Sequence, residues 1–239
     1  MKLNIPSKLT TINICKIALA AIIPVTVTSC MILTSAMPIE KLPEPIKSEM
    51  VQLRKDQEVM VKHFCAGSIK MNEAYISIFK GCGMEKEAQQ LKINTDALKQ
   101  ASSSSEQNKL IKRGNDLIAE GRSTMAKSKN SVLASKEIFL KGFRQKDEAY
   151  MDLTKVSAEA GIQALAAAKT FKKTKNPLQK AACLAGVDPL IVVMKDIPVM
   201  MENERKFNAQ TAEIGKKYSC PIPSSNLPTP KPLNSAVLY

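Results

Sequence analysis

The stretch that decides the fold runs from Ile111 to Gly142 and reads IKRGNDLIAEGRSTMAKSKNSVLASKEIFLKG. Large apolar side chains recur in it every seven residues, at Ile111, Ile118, Met125, Val132 and Phe139. Seven residues are close to two turns of an α-helix, so these side chains share one helix face. A second series with the same spacing, three residues further on, contains Gly114, Gly121 and Gly142. The pattern predicts a helix with one seam of large and small side chains.

The glycines on this seam predict how closely a neighbouring helix packs. A glycine inside a helix costs about 1 kcal/mol relative to alanine, so three on one stripe need a compensating contact. Both series continue beyond residue 142, as far as Gln163 and Ala167. We therefore predict one very long helix from residue 106 to about 174, or two helices separated near 127–131. Lys146 is the one charged member of the large series, and we expect its ammonium to extend past the edge of the seam into water.

Similar patterns place helices on both sides of this segment. The spacing of apolar residues predicts one helix from Ser48 to Gly81 and a second from Met84 to about Ala101. Further helical segments follow between 178 and 218. The predicted fold is all-α, an elongated antiparallel helical bundle around the long helix, with a domain at 48–220. The remaining segment, 221–239, is rich in Pro and Ser and is predicted to be a disordered tail.

The N-terminal segment has the layout of an export signal. Lys2, Lys8 and Lys16 precede an uncharged apolar run, Ile17 to Val27. A basic end followed by about ten apolar residues is typical of a secretory signal peptide, because the basic end stays in the cytosol while the apolar run inserts. We interpret residues 1–29 as this signal, which places the rest of the chain outside the cytoplasm.

The end of the apolar run carries a resemblance to a known class. The four residues Val27-Thr28-Ser29-Cys30 resemble the lipobox of bacterial lipoproteins, and the resemblance covers residues 1–30. It implies that Cys30 is the lipidated mature N-terminus, carrying diacylglycerol and a fatty acid such as palmitate, and that a Pro-rich tether, 30–47, follows. Met31 next to the cysteine resembles the lipoproteins sorted to the outer membrane. The expected location is the bacterial cell envelope, on a membrane outside the cytoplasm.

Two alternatives to lipidation remain open at the N-terminus. Signal peptidase could cut after Ala36, which would release a soluble periplasmic or secreted protein. Alternatively, the segment from Ile17 to Ile39 is long enough to span a bilayer without cleavage, although Pro24 interrupts it.

The charge of the chain favours anionic partners. Its formal net charge is +13, and without the three signal lysines 32 Lys and Arg face 22 Asp and Glu, a balance of about +10. Such a domain is attracted to lipid headgroups, lipopolysaccharide phosphate or wall polymers. Export and the 4% aromatic content, with no Trp, argue against nucleic acid. The strongest local candidates for anion contact are Lys169, Lys172, Lys173 and Lys175. The same lysines also suit a helix C-terminus without any ligand.

Two of the six cysteines belong to the N-terminal segment: Cys15 lies in the signal, and Cys30 is the lipidation candidate. The other four are Cys65, Cys82, Cys183 and Cys220. An even number in an exported domain predicts two disulfides. On one continuous helix, Cys65 and Cys82 would lie about 25 Å apart, so bridges from the N-terminal helices to the C-terminal segment are favoured. Metal binding is disfavoured, because the four are scattered and the chain has a single histidine, His63.

The sequence contains no recognised catalytic, phosphate-binding or haem-binding pattern, so we expect no metal and no cofactor. The predicted function is a non-catalytic, lipid-anchored envelope protein that binds a protein partner or an anionic envelope surface. One alternative is a bundle that holds an apolar ligand near Leu190 to Met201. The other is an envelope enzyme without a recognisable motif.

Overall fold

The computed structural model describes residues 38–223, except for the side chains of Asp188 and Ile191. The predicted signal peptide, Cys30, the first part of the tether and the chain beyond residue 223 lie outside the described residues. Within residues 38–223 no helix is both long and apolar enough to cross a membrane.

The described chain is all-α, which confirms the predicted fold class. A short 3-10 helix, Ile39–Lys41, precedes seven α-helices in residues 38–223: α1 (Ile46–Gly81), α2 (Glu85–Gln100), α3 (Ser104–Lys127), α4 (Lys136–Lys173), α5 (Pro177–Ala185), α6 (Asp188–Ala209) and α7 (Thr211–Lys217). The glycine-containing seam is therefore shared by two helices, as the second of our two alternatives predicted. The break lies at residues 128–135.

Local signals explain where these helices begin and end. The Ser103 hydroxyl accepts a hydrogen bond from the Glu106 amide at 3.2 Å and caps α3. The Asn176 side chain caps α5 in the same way, and Pro177 occupies its first position. After α1, Gly83 adopts a φ of +73°, a conformation that glycine reaches without strain.

The chain divides into two compact units. Within the described residues, the first unit comprises 38–61 and 157–198, and the second comprises 62–156 and 199–223. Helices α1, α4 and α6 each contribute residues to both units.

In the second unit, α1 and α4 pack closely and antiparallel. Gly67 of α1 lies against Leu153 of α4, and further along α1 Ile78 lies against Gly142 of α4. A Cβ atom at Gly142 would lie 2.7 Å from the Ile78 backbone nitrogen, and one at Gly121 of α3 would overlap the Phe79 ring. Gly121 and Gly142 of the seam therefore sit where a neighbouring helix leaves no room for a side chain, as predicted.

In the first unit, α1 and α4 are also antiparallel. The Thr170 hydroxyl of α4 donates to the Glu49 carboxylate at 3.0 Å, and the Gln163 amide donates to the Asp56 carbonyl at 3.0 Å. Each of these bonds joins a residue near the start of α1 to one near the end of α4.

The structure folds part of the segment that we predicted to be a tether, 30–47. Ile39 and Leu42 are buried in the first unit, and α1 already begins at Ile46. A Cβ atom at Gly186 would lie 2.7 Å from Met50 and 3.0 Å from Ile39, so the 3-10 helix packs against the end of α5. Residues 39–46 are therefore part of the folded unit, because their apolar side chains reach a distant contact that the proline pattern does not reveal.

Candidate functional site

The four candidate lysines lie together at the C-terminal end of α4, in the first unit. Lys169, Lys172 and Lys173 belong to the last turns of this helix, and Lys175 belongs to the link to α5. All four are exposed. Lys173 forms an ion pair with Glu49 of α1, and this hydrogen bond holds the pKa of the Glu49 carboxyl below its usual value.

This arrangement leaves three lysines available to a partner. The Lys173–Glu49 pair is partly exposed, so its contribution to stability is small, and it neutralises one of the four cations. The ammonium groups of Lys169, Lys172 and Lys175 have no ion-pair partner among the described residues. Their positive charge also interacts favourably with the negative end of the α4 dipole. The surface thus keeps a net positive charge, because only one of its four lysines is paired with a carboxylate of the described chain.

The four candidate cysteines do not form the predicted disulfides. Cys65, Cys82, Cys183 and Cys220 are all free thiols in the described structure. The buried side chains pack against other groups: the Cys82 sulfur, for example, lies 3.8 Å from the Met125 sulfur. The expectation of disulfides came from the number of cysteines, and helix packing places them among other partners.

Burial also disfavours the nucleophilic thiolate form of three of these cysteines. Burial raises the pKa of Cys82 to about 11, and it raises the pKa of Cys65 and Cys183 as well. A thiol is nucleophilic as the thiolate, so a raised pKa disfavours catalysis by these cysteines.

The second unit contains a buried polar cluster that our sequence analysis missed. The Tyr75 hydroxyl of α1 donates to the Glu204 carboxylate of α6 at 2.9 Å. The Arg122 guanidinium of α3 forms an ion pair with Glu204, donates to the Tyr75 hydroxyl, and donates to the Asn203 carbonyl at 3.0 Å. Burial raises the pKa of Tyr75 to about 12, so the hydroxyl stays protonated. One charge pair thus connects three helices of this unit.

Lys146 lies in the same unit, and our expectation for it was wrong. Its side chain is 1% exposed, and its ammonium donates to the carboxylate of Asp147 at 2.8 Å and to the side-chain oxygen of Asn208. Burial lowers the pKa of Lys146. Instead of extending into water, the lysine finds an acceptor on α6 and lies over the Phe143 ring, 5.8 Å from its centroid.

Aromatic rings lie beside both buried cations. Phe143 and Phe207 stack with centroids 5.8 Å apart and ring planes inclined by 10°. The Arg122 guanidinium carbon lies 4.5 Å from the Phe207 centroid. The negative face of an aromatic ring attracts a cation, which offsets part of the cost of removing it from water.

A sequence signal for the cluster did exist. Glu204 falls three or four residues from Met200, Met201 and Phe207, all of which are buried, so it occupies the inward face of α6. Arg122 follows the buried Ile118 by four residues on α3. Opposite charges at inward positions of two helices indicate a buried pair, but this inference requires knowing that α3 and α6 are neighbours.

The space beside the cluster is too small for a substrate. A notch of about 20 Å³ lies between α3 and α6, lined by Arg122, Glu204 and apolar side chains that include Met71 and Met200. That volume suits one water molecule. The Arg122 Nε atom has no hydrogen-bond partner in the described structure, and a water in the notch could accept its hydrogen bond. The cluster connects α1, α3 and α6 of this unit.

The remaining sequence candidates lie elsewhere. In the region predicted to hold an apolar ligand, Leu190, Val193 and Ile197 are each buried in the core of the first unit. His63 lies on the exposed side of α1. Among residues 38–223 no group of three or more His, Cys, Asp and Glu side chains is arranged to hold a metal ion.

No family model, no curated protein and no solved structure matches this chain.

Proposed function

We propose that this chain is an exported protein, fastened to an envelope membrane by lipid on Cys30, whose helical domain binds an anionic envelope surface without catalysing a reaction. The observation that carries this proposal is the group of exposed lysines at the end of α4, in particular Lys169, Lys172 and Lys175. The resemblance of residues 27–30 to a lipobox supports the anchor and the location.

The charge of this surface sets the expected strength of binding. A lysine near an anionic membrane surface contributes about 1 kcal/mol, so three lysines contribute about 3 kcal/mol. An interaction of this kind weakens at high salt, because exposed charges are screened within about 10 Å at 0.1 M ionic strength. The same charge would attract an acidic protein, and a protein partner is therefore the competing interpretation of this patch.

Mass spectrometry of the mature protein tests the anchor. We expect the polypeptide recovered from the envelope to begin at Cys30 and to carry diacylglycerol. An unmodified polypeptide that begins at Met37 would contradict the lipid anchor and leave the domain unattached.

Charge reversal tests the binding surface. Full-length chain with Cys30→Ser would be applied to immobilised polyphosphate, a soluble polyanion that offers no apolar phase. The variant Lys169→Glu, Lys172→Glu, Lys175→Glu should elute at much lower salt than the parent. A matched variant reverses Lys109, Lys112 and Lys127, three exposed lysines of α3. Equal retention of the two variants would contradict a specific role for the α4 lysines and would favour a non-specific effect of net charge.

A further inference from the structure

An exposed leucine closely follows the candidate lysines along the chain of the first unit. Leu178 is 50% exposed in the first turn of α5, between Lys175 and Lys180, which are also exposed. The segment 169–180 contains five lysines and no Asp or Glu. An exposed apolar side chain that follows four lysines within ten residues suits a surface that is anionic outside and apolar beneath.

The folded part of the tether brings this surface close to the proposed anchor. Ile39 is buried in the first unit, so at most nine residues separate it from Cys30. A fully extended chain of that length spans about 30 Å. A lipid on Cys30 would therefore hold Ile39 within about 30 Å of the membrane surface.

Leu178 lies one short helix away from this folded part of the tether. Ile39 contacts the position of Gly186, which directly follows α5. Eight residues separate Leu178 from Gly186, which is about 12 Å at the rise of an α-helix. The attachment point of the tether and the leucine are thus within one short helix of each other, and α5 falls within reach of the bilayer.

We propose that the start of α5 docks on the anionic bilayer that carries the anchor, with Leu178 entering the boundary between headgroups and acyl chains. In this arrangement Lys172 and Lys175 contact lipid phosphates. The inference rests on the proposed function and specifies its partner: a bilayer offers an apolar phase to Leu178, whereas a soluble polyanion offers it nothing.

A fluorescent probe at position 178 tests this docking directly. The lipidated full chain, in a Cys65→Ser background that removes its half-buried thiol, would carry an environment-sensitive fluorophore on Leu178→Cys. It would be reconstituted in vesicles that contain phosphatidylglycerol and a spin-labelled lipid whose nitroxide lies near the glycerol backbone. The control is the same fluorophore on Ile162→Cys, because Ile162 is 59% exposed on α4 in the same unit. We expect quenching several-fold stronger at 178 than at 162.

The outcomes separate the docking from the proposed function. Equal quenching at the two positions, whether weak or strong, would overturn the docking of α5. Reversal of Lys172 and Lys175 should reduce quenching at 178, and unchanged quenching would show that these lysines take no part in the docking. If the α4 lysines bind polyphosphate but the probe at 178 is never quenched, the proposed binding of an anionic surface is supported and the docking of α5 on the bilayer is wrong. Absence of lipid on Cys30 would overturn both.

Discussion

Replacing Gly142 by alanine should destabilise the protein, although alanine is the better helix former. A Cβ atom at this position would lie 2.7 Å from the backbone nitrogen of Ile78 and 2.8 Å from the carbonyl oxygen of Ala74. Favourable contacts lie near 3.5 Å, so α1 would have to move by about 0.8 Å. A backbone cannot rotate away as a side chain can, and the displacement would disturb the whole seam in this unit.

The magnitude follows from two opposing effects. Overpacking of a core costs about 1–3 kcal/mol, and two backbone contacts favour the upper end. The higher helix propensity of alanine returns about 1 kcal/mol. We therefore expect Gly142→Ala to lower the free energy of unfolding by about 2 kcal/mol, which corresponds to a fall in Tm of about 4–8 °C for a domain of this size.

Urea unfolding of the full chain, followed by far-ultraviolet circular dichroism, measures this difference. Two controls calibrate it. Ala158→Gly, on an exposed position of the same helix, should lose about 1 kcal/mol from propensity, because it removes no buried contact. Gly114→Ala should be close to neutral, because its Cβ atom would meet the amide of Asn72, a side chain that can shift. If Gly142→Ala is as stable as the parent, the explanation of the seam glycines by close helix approach is wrong.

Three further predictions concern charged and thiol groups. Glu204→Gln should cost about 3 kcal/mol, because it leaves a buried guanidinium without its carboxylate, whereas Tyr75→Phe should cost about 1 kcal/mol; equal losses in urea unfolding would contradict a role for the charge pair. The pKa of Glu49 is lowered in the folded state, so its ion pair stabilises the protein above the unfolded-state pKa of this carboxyl. This stabilisation is lost as the pH falls through the folded-state pKa, and the difference in urea midpoint between the parent and Glu49→Gln should shrink over that acidic range. A difference that is independent of pH would count against the pair. In thiol-labelling experiments on the native mature protein, the half-buried Cys65 should react first and Cys65→Ser should remove this fast phase; fast labelling at a buried cysteine instead would show that the core opens readily.

Helix boundaries could be predicted well because their signals are local. Gly83 permits the turn after α1, Ser103 caps α3, and Asn176 with Pro177 begins α5. The glycine stripe also predicted close helix contact correctly, because a glycine inside a helix requires a nearby cause. Each of these inferences depends on residues within one or two helical turns.

The buried charges and the folded tether could not be predicted in the same way. Lys146 is buried because Asn208 supplies an acceptor 62 positions later in the chain, and no periodicity within α4 indicates that partner. Ile39 is buried because it meets Gly186. The prediction of disulfides was wrong for a different reason. The number of cysteines argues for an oxidising compartment, whereas their pairing depends on where the helices place each sulfur atom.

The buried pair of Arg122 and Glu204 also constrains how this chain can diverge. Losing either charge strands the other in the interior, whereas exchanging both for apolar residues of similar volume is nearly neutral in many proteins. Descendants of this sequence should therefore keep the two residues or replace them jointly, and lineages that altered one of them would pass through a poorly folded ancestor.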